Sequence, residues 1–199
     1  MNLAKLIRDK FNYNGPYILP AKVKGFKRGG LINLFAEFGL QSGAEIGVAE
    51  GKFSEFILKT IPGLHLLGVD PWMPDDEDQR SLINGKQLAD KRFDQANDVY
   101  APYEHATIRR ATSMEGVRDV EKESLDFIYI DGNHQFDFVM QDLIEWGRRV
   151  RSGGIISGHD YYRFRRAGVV DAVNVYTRMH NVSEWYTTDE RKPTFFWVK

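Results

Sequence analysis

The sequence contains no cysteine. Disulfides, thiolate zinc sites, iron–sulfur clusters and cysteine nucleophiles are thereby excluded together. No apolar run approaches the roughly 20 residues that a membrane-spanning helix needs. The opening MNLAKLIRDK carries Lys5, Arg8, Asp9 and Lys10, so no signal-peptide core forms there. No membrane partner is expected, and the expected location is the cytoplasm. An excess of either charge is also missing: 27 Lys and Arg face 28 Asp and Glu, a net charge of −1. A broadly basic nucleic-acid binder is disfavoured, and only a local patch stays open. Internal repeats and low-complexity tracts are absent as well.

What is present is ordinary globular material, 42% hydrophobic and 28% charged over 199 residues, which excludes disorder as the main state. That length fits one domain with a short extension. The extension is residues 1–29. Lys5, Arg8, Lys10, Lys22, Lys24, Lys27 and Arg28 stand there against Asp9 alone, with Phe11, Tyr13, Tyr17 and Phe26 among them. Gly15-Pro16 and Pro20 break any long helix. Two readings stay open: a solvated strap packing its aromatics on the main domain, or a contact for an anionic substrate or partner.

From residue 30 to 199 a repeating pattern follows. Helical spacing joins Leu31, Leu34, Phe35 and Phe38, then Phe53, Phe56, Ile57 and Ile61, then Phe136, Val139, Met140 and Leu143, and last Val169, Ala172, Val173 and Tyr176. A polar helix is expected near 85–100, after an acidic loop at Asp75–Asp78. Between these lie apolar strands at 44–47, 64–69, 105–110, 125–130 and 154–157, and a closing pair at 183–187 and 194–198. Strands alternating with helices imply an α/β fold, a doubly wound, mostly parallel sheet. The link between the last two strands is too short for a parallel crossover, so the final strand should run antiparallel.

In such a sheet, ligands bind beyond the carboxyl ends of the strands. Polar residues and glycines gather there. Glu45-Ile-Gly-Val-Ala-Glu-Gly51 is one substitution from acid-x-G-x-G-x-G, with Ala49 in the middle position. Glycines permit a tight turn and close approach by a ligand, although a purely structural turn reads the same way. Asp70 closes the next strand, where an acid can accept ribose hydroxyls or cap a turn. Trp72 can wall the same pocket or simply pack. Asp131 and Asp160 end two strands. If those strands are neighbours, two carboxylates stand close enough to need a proton or a cation between them. Mg²⁺ suits such oxygen ligands, with His159 or water completing the shell. The alternative is one helix-capping Asp and one solvated Asp. His134 reaches the same pocket as a general base, or orients its own loop. His65, His105 and His180 are read as structural, and Trp146 and Trp185 as core.

The run Ala44–Ser54 with Gly68-Val-Asp-Pro-Trp72 resembles class I S-adenosylmethionine (SAM) dependent methyltransferases. The segments Leu125-Asp-Phe-Ile-Tyr-Ile-Asp-Gly-Asn-His134 and Gly153-Gly-Ile-Ile-Ser-Gly-His-Asp-Tyr161 resemble the branch of macrocin and mycinamicin sugar O-methyltransferases. The likeness covers residues 30–199. It implies a Rossmann-like seven-stranded sheet in the order 3-2-1-4-5-7-6, with strand 7 antiparallel. It implies SAM held by Glu45, Gly47, Ala49, Gly51 and Ser54, its ribose on Asp70 beside Trp72, and its adenine near Ser113. Asp131 would border the cofactor and, with His159 and Asp160, hold Mg²⁺, while His134 would be the base. His159 stands where metal-binding relatives often carry an acid. The implied reaction is O-methylation of a small-molecule or sugar hydroxyl. Arginines of the strip Tyr161–Arg166 are read as a grip for an acidic acceptor or as a solvated loop. A metal-independent methyltransferase and a non-catalytic SAM or nucleoside binder stay open as alternatives, as does assembly into a homo-oligomer.

Overall fold

Apolar runs bounded by glycine and polar turns fold in the order that their spacing predicts. The computed structural model describes residues 2–13, 15, 19–73, 82–165 and 167–199, with 82–84 by backbone alone. In chain order the elements are α1 (Leu3–Lys10), β1 (Ala21–Val23), α2 (Arg28–Glu37), β2 (Ser42–Ile46), α3 (Lys52–Thr60), β3 (His65–Asp70), α4 (Leu82–Tyr100) and β4 (Ala106–Arg110). There follow α5 (Ser113–Gly116), β5 (Leu125–Ile130), α6 (Phe136–Gly147), β6 (Val150–Gly158), α7 (Val169–Met179), β7 (Tyr186–Thr188) and β8 (Phe195–Val198). The acidic loop expected at Asp75–Asp78 lies outside the described residues, as do Pro16, Tyr17 and Arg166. Among the described residues no helix is long and apolar enough to cross a membrane.

Among the described residues eight strands form one sheet, ordered β4-β3-β2-β5-β6-β8-β7-β1. From β2 onward this is the expected order 3-2-1-4-5-7-6, and β1 adds an unforeseen strand at the outer edge. β8 runs antiparallel to both β6 and β7, as its short link to β7 requires. Side chains alternate across the sheet with period two. Phe127 and Ile155 enter a core with α1–α4, while Ile128, Ile130 and Ile156 enter a second core with α6 and α7. Two aromatics assigned to helix core faces are half-exposed: Phe56 at 39% and Phe136 at 38%. The Phe56 ring lies beside Gly29, over the start of α2, rather than under α3.

The N-terminal segment is built onto this frame. Asn2 caps α1, accepting from the Lys5 N–H. An eight-residue helix is marginal alone, and buried Leu3 and Ile7 anchor it, each contributing roughly 1.5–3 kcal/mol. Phe11 packs edge-on against Phe26 and Tyr186, at 4.8 and 5.7 Å. β1 pairs in parallel with β7. Beyond it, the Asp189 N–H donates to Phe26 O (2.7 Å) and the Arg28 N–H to Glu190 Oε1 (2.8 Å). The extension is thus tied to the β7–β8 turn, and that tie delivers Arg28 to the carboxyl end of the sheet.

Candidate functional site

Three neighbouring strands end at one level. The Gly47 N–H donates to Val69 O (2.9 Å), the Asp131 N–H to Ile46 O (2.7 Å) and the His159 N–H to Ile130 O (2.8 Å). Gly47, Asp131 and His159 therefore stand side by side, one step beyond β2, β5 and β6. A Cβ on Gly47 would lie 2.2 Å from Asp131 O, so the approach requires a residue without a side chain. Gly47, Ala49 and Gly51 all have positive φ, at 92°, 50° and 78°. Ala49 holds this left-handed conformation at a cost of about 1–2 kcal/mol. The Trp72 indole N–H donates to its carbonyl (2.8 Å), helping to hold it there.

Asp70 secures the same turn. Its Oδ2 accepts from the N–H groups of Val48 (2.9 Å) and Ala49 (3.0 Å), and its Oδ1 from that of Trp72 (2.8 Å). A carboxylate offers about four acceptor positions, which leaves about one for a ribose hydroxyl. Trp72 is buried edge-on against Phe93, with ring centres 5.0 Å apart. Ser113 opens α5 behind a Thr112–Glu115 capping box. Its hydroxyl donates to Asp142 and accepts from the Trp146 indole N–H (2.8 Å). Burial pushes the Asp142 carboxyl up to about 6, against the Ser113 hydrogen bond. The Ser113 hydroxyl is thus committed to Asp142 and Trp146. Sequence reading gave no sign of Asp142.

Glu45 is buried within β2 and accepts a hydrogen bond from Ser54. Burial raises its carboxyl to about 8; the Ser54 bond opposes this and the nearby Asp131 charge adds to it. The folded protein keeps that proton where an unfolded chain, titrating near 4.5, releases it. The resulting stability is complete below the unfolded value and falls as pH rises to about 8. Integrated over the window, the loss is roughly 4 kcal/mol. Glu45→Gln should remove this slope. Urea unfolding from pH 5 to 8 should show the variant gaining on the parent as pH rises. Parallel curves would mean that Glu45 is ionised in the fold.

β5 and β6 are adjacent, with Ile130 opposite Gly158, so Asp131 and Asp160 do converge. Donor atoms of Asp131, His134 and Asp160 lie within 4.8 Å of one another. His134 Nε2 is 3.0 Å from Asp160 Oδ2. His159 Nδ1 is 3.5 Å from Asp131 and 3.4 Å from Asp160. All four residues expected here are brought together, and the tightest trio contains His134 rather than His159. Burial works to raise the Asp160 carboxyl, but His134, His159 and Lys192 outweigh it and hold it below the usual range. Asp160 Oδ1 and His134 Nε2 are buried with no hydrogen-bond partner among the described residues. Two carboxylates and an imidazole with unspent atoms fit a divalent cation.

A cleft of about 440 Å³ adjoins these carboxylates, lined by Arg28, His159, Glu190, Arg191 and Lys192. No motif announced it; its sole trace in the sequence is the basic run that ends at Arg28. Arg163 is held by both oxygens of Asp171, at 3.0 and 2.7 Å, so it is not a free anion grip. Tyr162 stacks on Phe164 (4.5 Å), whose ring meets that of His134 edge-on (5.5 Å).

Residues 44–161 match a family model described as a methyltransferase domain. Curated protein sequences gave no match. Among solved structures, the O-methyltransferase from Bacillus cereus in complex with SAH is 13% identical, with a TM-score of 0.58 over 99% of this chain and 89% of that one. The O-methyltransferase NovP is 15% identical, with a TM-score of 0.61 over 86% and 79%. A spermidine synthase is also similar, at 16% identity and a TM-score of 0.54 over 84% and 56%. At such identities the likeness is one of fold, and that fold hosts more than one reaction.

Proposed function

The chain belongs to the methyltransferase-domain family and is a SAM-dependent methyltransferase; from that premise we propose that it methylates a hydroxyl of a small molecule or sugar, assisted by a divalent cation. The observation that carries this reading is the placement of Asp131. Its backbone touches the Gly47 turn while its carboxylate joins His134 and Asp160. Cofactor turn and acid cluster thus share one residue, so a methyl donor on the turn and a hydroxyl at the cluster would meet. The proposal includes the macrocin and mycinamicin branch as the chemical parallel, residues 30–199 as the catalytic domain and a cytoplasmic location.

In this proposal the turn Glu45–Gly51, Ser54, Asp70, Trp72 and the backbone at Ser113 shape the donor pocket. SAM supplies the methyl group: the acceptor oxygen bonds to the methyl carbon, the carbon–sulfur bond breaks, and S-adenosylhomocysteine (SAH) leaves. Asp131, Asp160 and His159 would hold the cation, which supplies Lewis acidity that lowers the pKa of the hydroxyl. His134 takes the hydroxyl proton. The rigid strand ends fix the angle between acceptor and donor, and such alignment can carry much of the rate. The tight trio favours a second assignment, with His134 as a ligand and His159 beside it.

Isothermal titration tests the reading. Micromolar binding of SAH is expected in EDTA, with a separate Mg²⁺ heat that Asp131→Ala abolishes. Absence of SAH binding would sink the proposed cofactor pocket. Retention of the Mg²⁺ heat in Asp131→Ala would remove the cation site.

A further inference from the structure

We propose that the acceptor is an anion, with a phosphate or carboxylate seated in the cleft between Arg28, Arg191 and Lys192; this rests on the O-methyltransfer reading above. Three of the five lining side chains are permanent cations, and Glu190 is the one acid among them. Glu190 is already engaged, since its Oε1 accepts from the Arg28 N–H (2.8 Å) and from Thr188 Oγ1 (2.7 Å). Arg191 and Lys192 are less spent, whereas the Arg28 guanidinium lies over the Phe53 ring, 4.2 Å from its centre. Arg28 Nη1 is 3.7 Å from Asp131 and Lys192 Nζ is 3.5 Å from Asp160, both beyond a normal hydrogen bond. Arg191 is exposed and makes no hydrogen bond or ion pair among the described residues.

The position of the cleft matters as much as its charge. His159 forms one wall, and its Nδ1 lies within 3.5 Å of both catalytic-cluster carboxylates. An anionic group held at the mouth therefore sits one small molecule's reach from the place where a hydroxyl would react. The Tyr162 ring has Lys192 Nζ 5.8 Å from its centre and stacks on Phe164. Arg28 heads α2 and the other two cations belong to the β7–β8 turn, and the bond from Arg28 to Glu190 fixes those segments together. The backbone that carries the cations is thus set before a ligand arrives, and guanidinium forks match phosphate or carboxylate oxygens in pairs.

The test follows amide resonances of the full chain loaded with SAH during titration with inorganic phosphate and, separately, with malonate. Saturable shifts are expected at residues 28 and 190–192. The double variant Arg191→Ala/Lys192→Ala should bind at least about tenfold more weakly, and Arg163→Ala, outside the cleft, should bind as the parent does. A response to phosphate alone assigns a phosphorylated acceptor; a response to malonate alone assigns a carboxylate. No saturable shift at the cleft, or equal affinity in the double variant, overturns the inference. SAH binding is measured first in the same sample. Its failure counts against the methyltransfer reading, whereas a silent cleft in SAH-loaded protein counts against the anion alone.

Discussion

Replacing His134 with Gln is expected to cut turnover by roughly 10²–10⁴-fold while SAH still binds, the usual loss when a general base is removed. The side chain stands at the junction of the acid cluster and the aromatic strip, 3.0 Å from Asp160 and edge-on to Phe164. Its side chain is 38% exposed although Nε2 itself is buried, so an acceptor hydroxyl has to approach the exposed side of the ring. If His134 takes the proton, the variant keeps its Mg²⁺ heat while turnover falls. If it is instead a ligand, the Mg²⁺ heat falls together with activity. Full turnover in the variant would remove His134 from both roles. Histidine to glutamine preserves approximate size and hydrogen bonding, so unfolding should not confuse the result.

How much of this could be read in advance depended on whether the signal was local. Leu125-Asp-Phe-Ile-Tyr-Ile130 announces a buried strand because its apolar side chains feed both faces of the sheet. Gly39, at φ +67°, ends α2 where the helical spacing stops. The short β7–β8 link dictates antiparallel pairing by length alone. Strand ends in an α/β sheet collect ligands, so Asp70, Asp131 and Asp160 stood out as soon as the strands were placed.

Features that depend on distant pairing were not legible. β1 is three residues long, and its strand character comes from the exposed edge of β7 rather than from its own side chains. That pairing carries Arg28 across the molecule to Glu190, 162 positions away. No window of sequence contains the cleft. The commitment of Ser113 to Asp142, 29 positions on, was hidden for the same reason. Arg163 misled in the opposite sense: it sits beside the acid cluster in sequence, yet Asp171 on α7 accepts from both its terminal nitrogens.

Gly47→Ala should be the most damaging single-methyl change in the protein. At φ +92° an alanine pays about 1–2 kcal/mol for left-handed backbone alone. Its Cβ would also fall 2.2 Å from Asp131 O and 2.6 Å from Gly132 Cα. Those atoms are backbone at the end of a central strand, so no side chain can swing aside to relieve the clash. Either the turn or the Asp131 peptide must move. The combined penalty is expected to exceed about 3 kcal/mol, the scale of a large core defect, which lowers Tm by roughly 6–12 °C in a chain of this size. Movement of the turn should abolish SAH binding, and movement of Asp131 should weaken Mg²⁺ binding as well. Ala49→Gly provides the contrast, because it relieves left-handed strain two residues away and should leave Tm unchanged or higher. A Gly47→Ala variant with parental Tm and SAH affinity would show that the turn and the acid cluster are not in contact, and the geometric basis for joining donor and acceptor at Asp131 would fall with it.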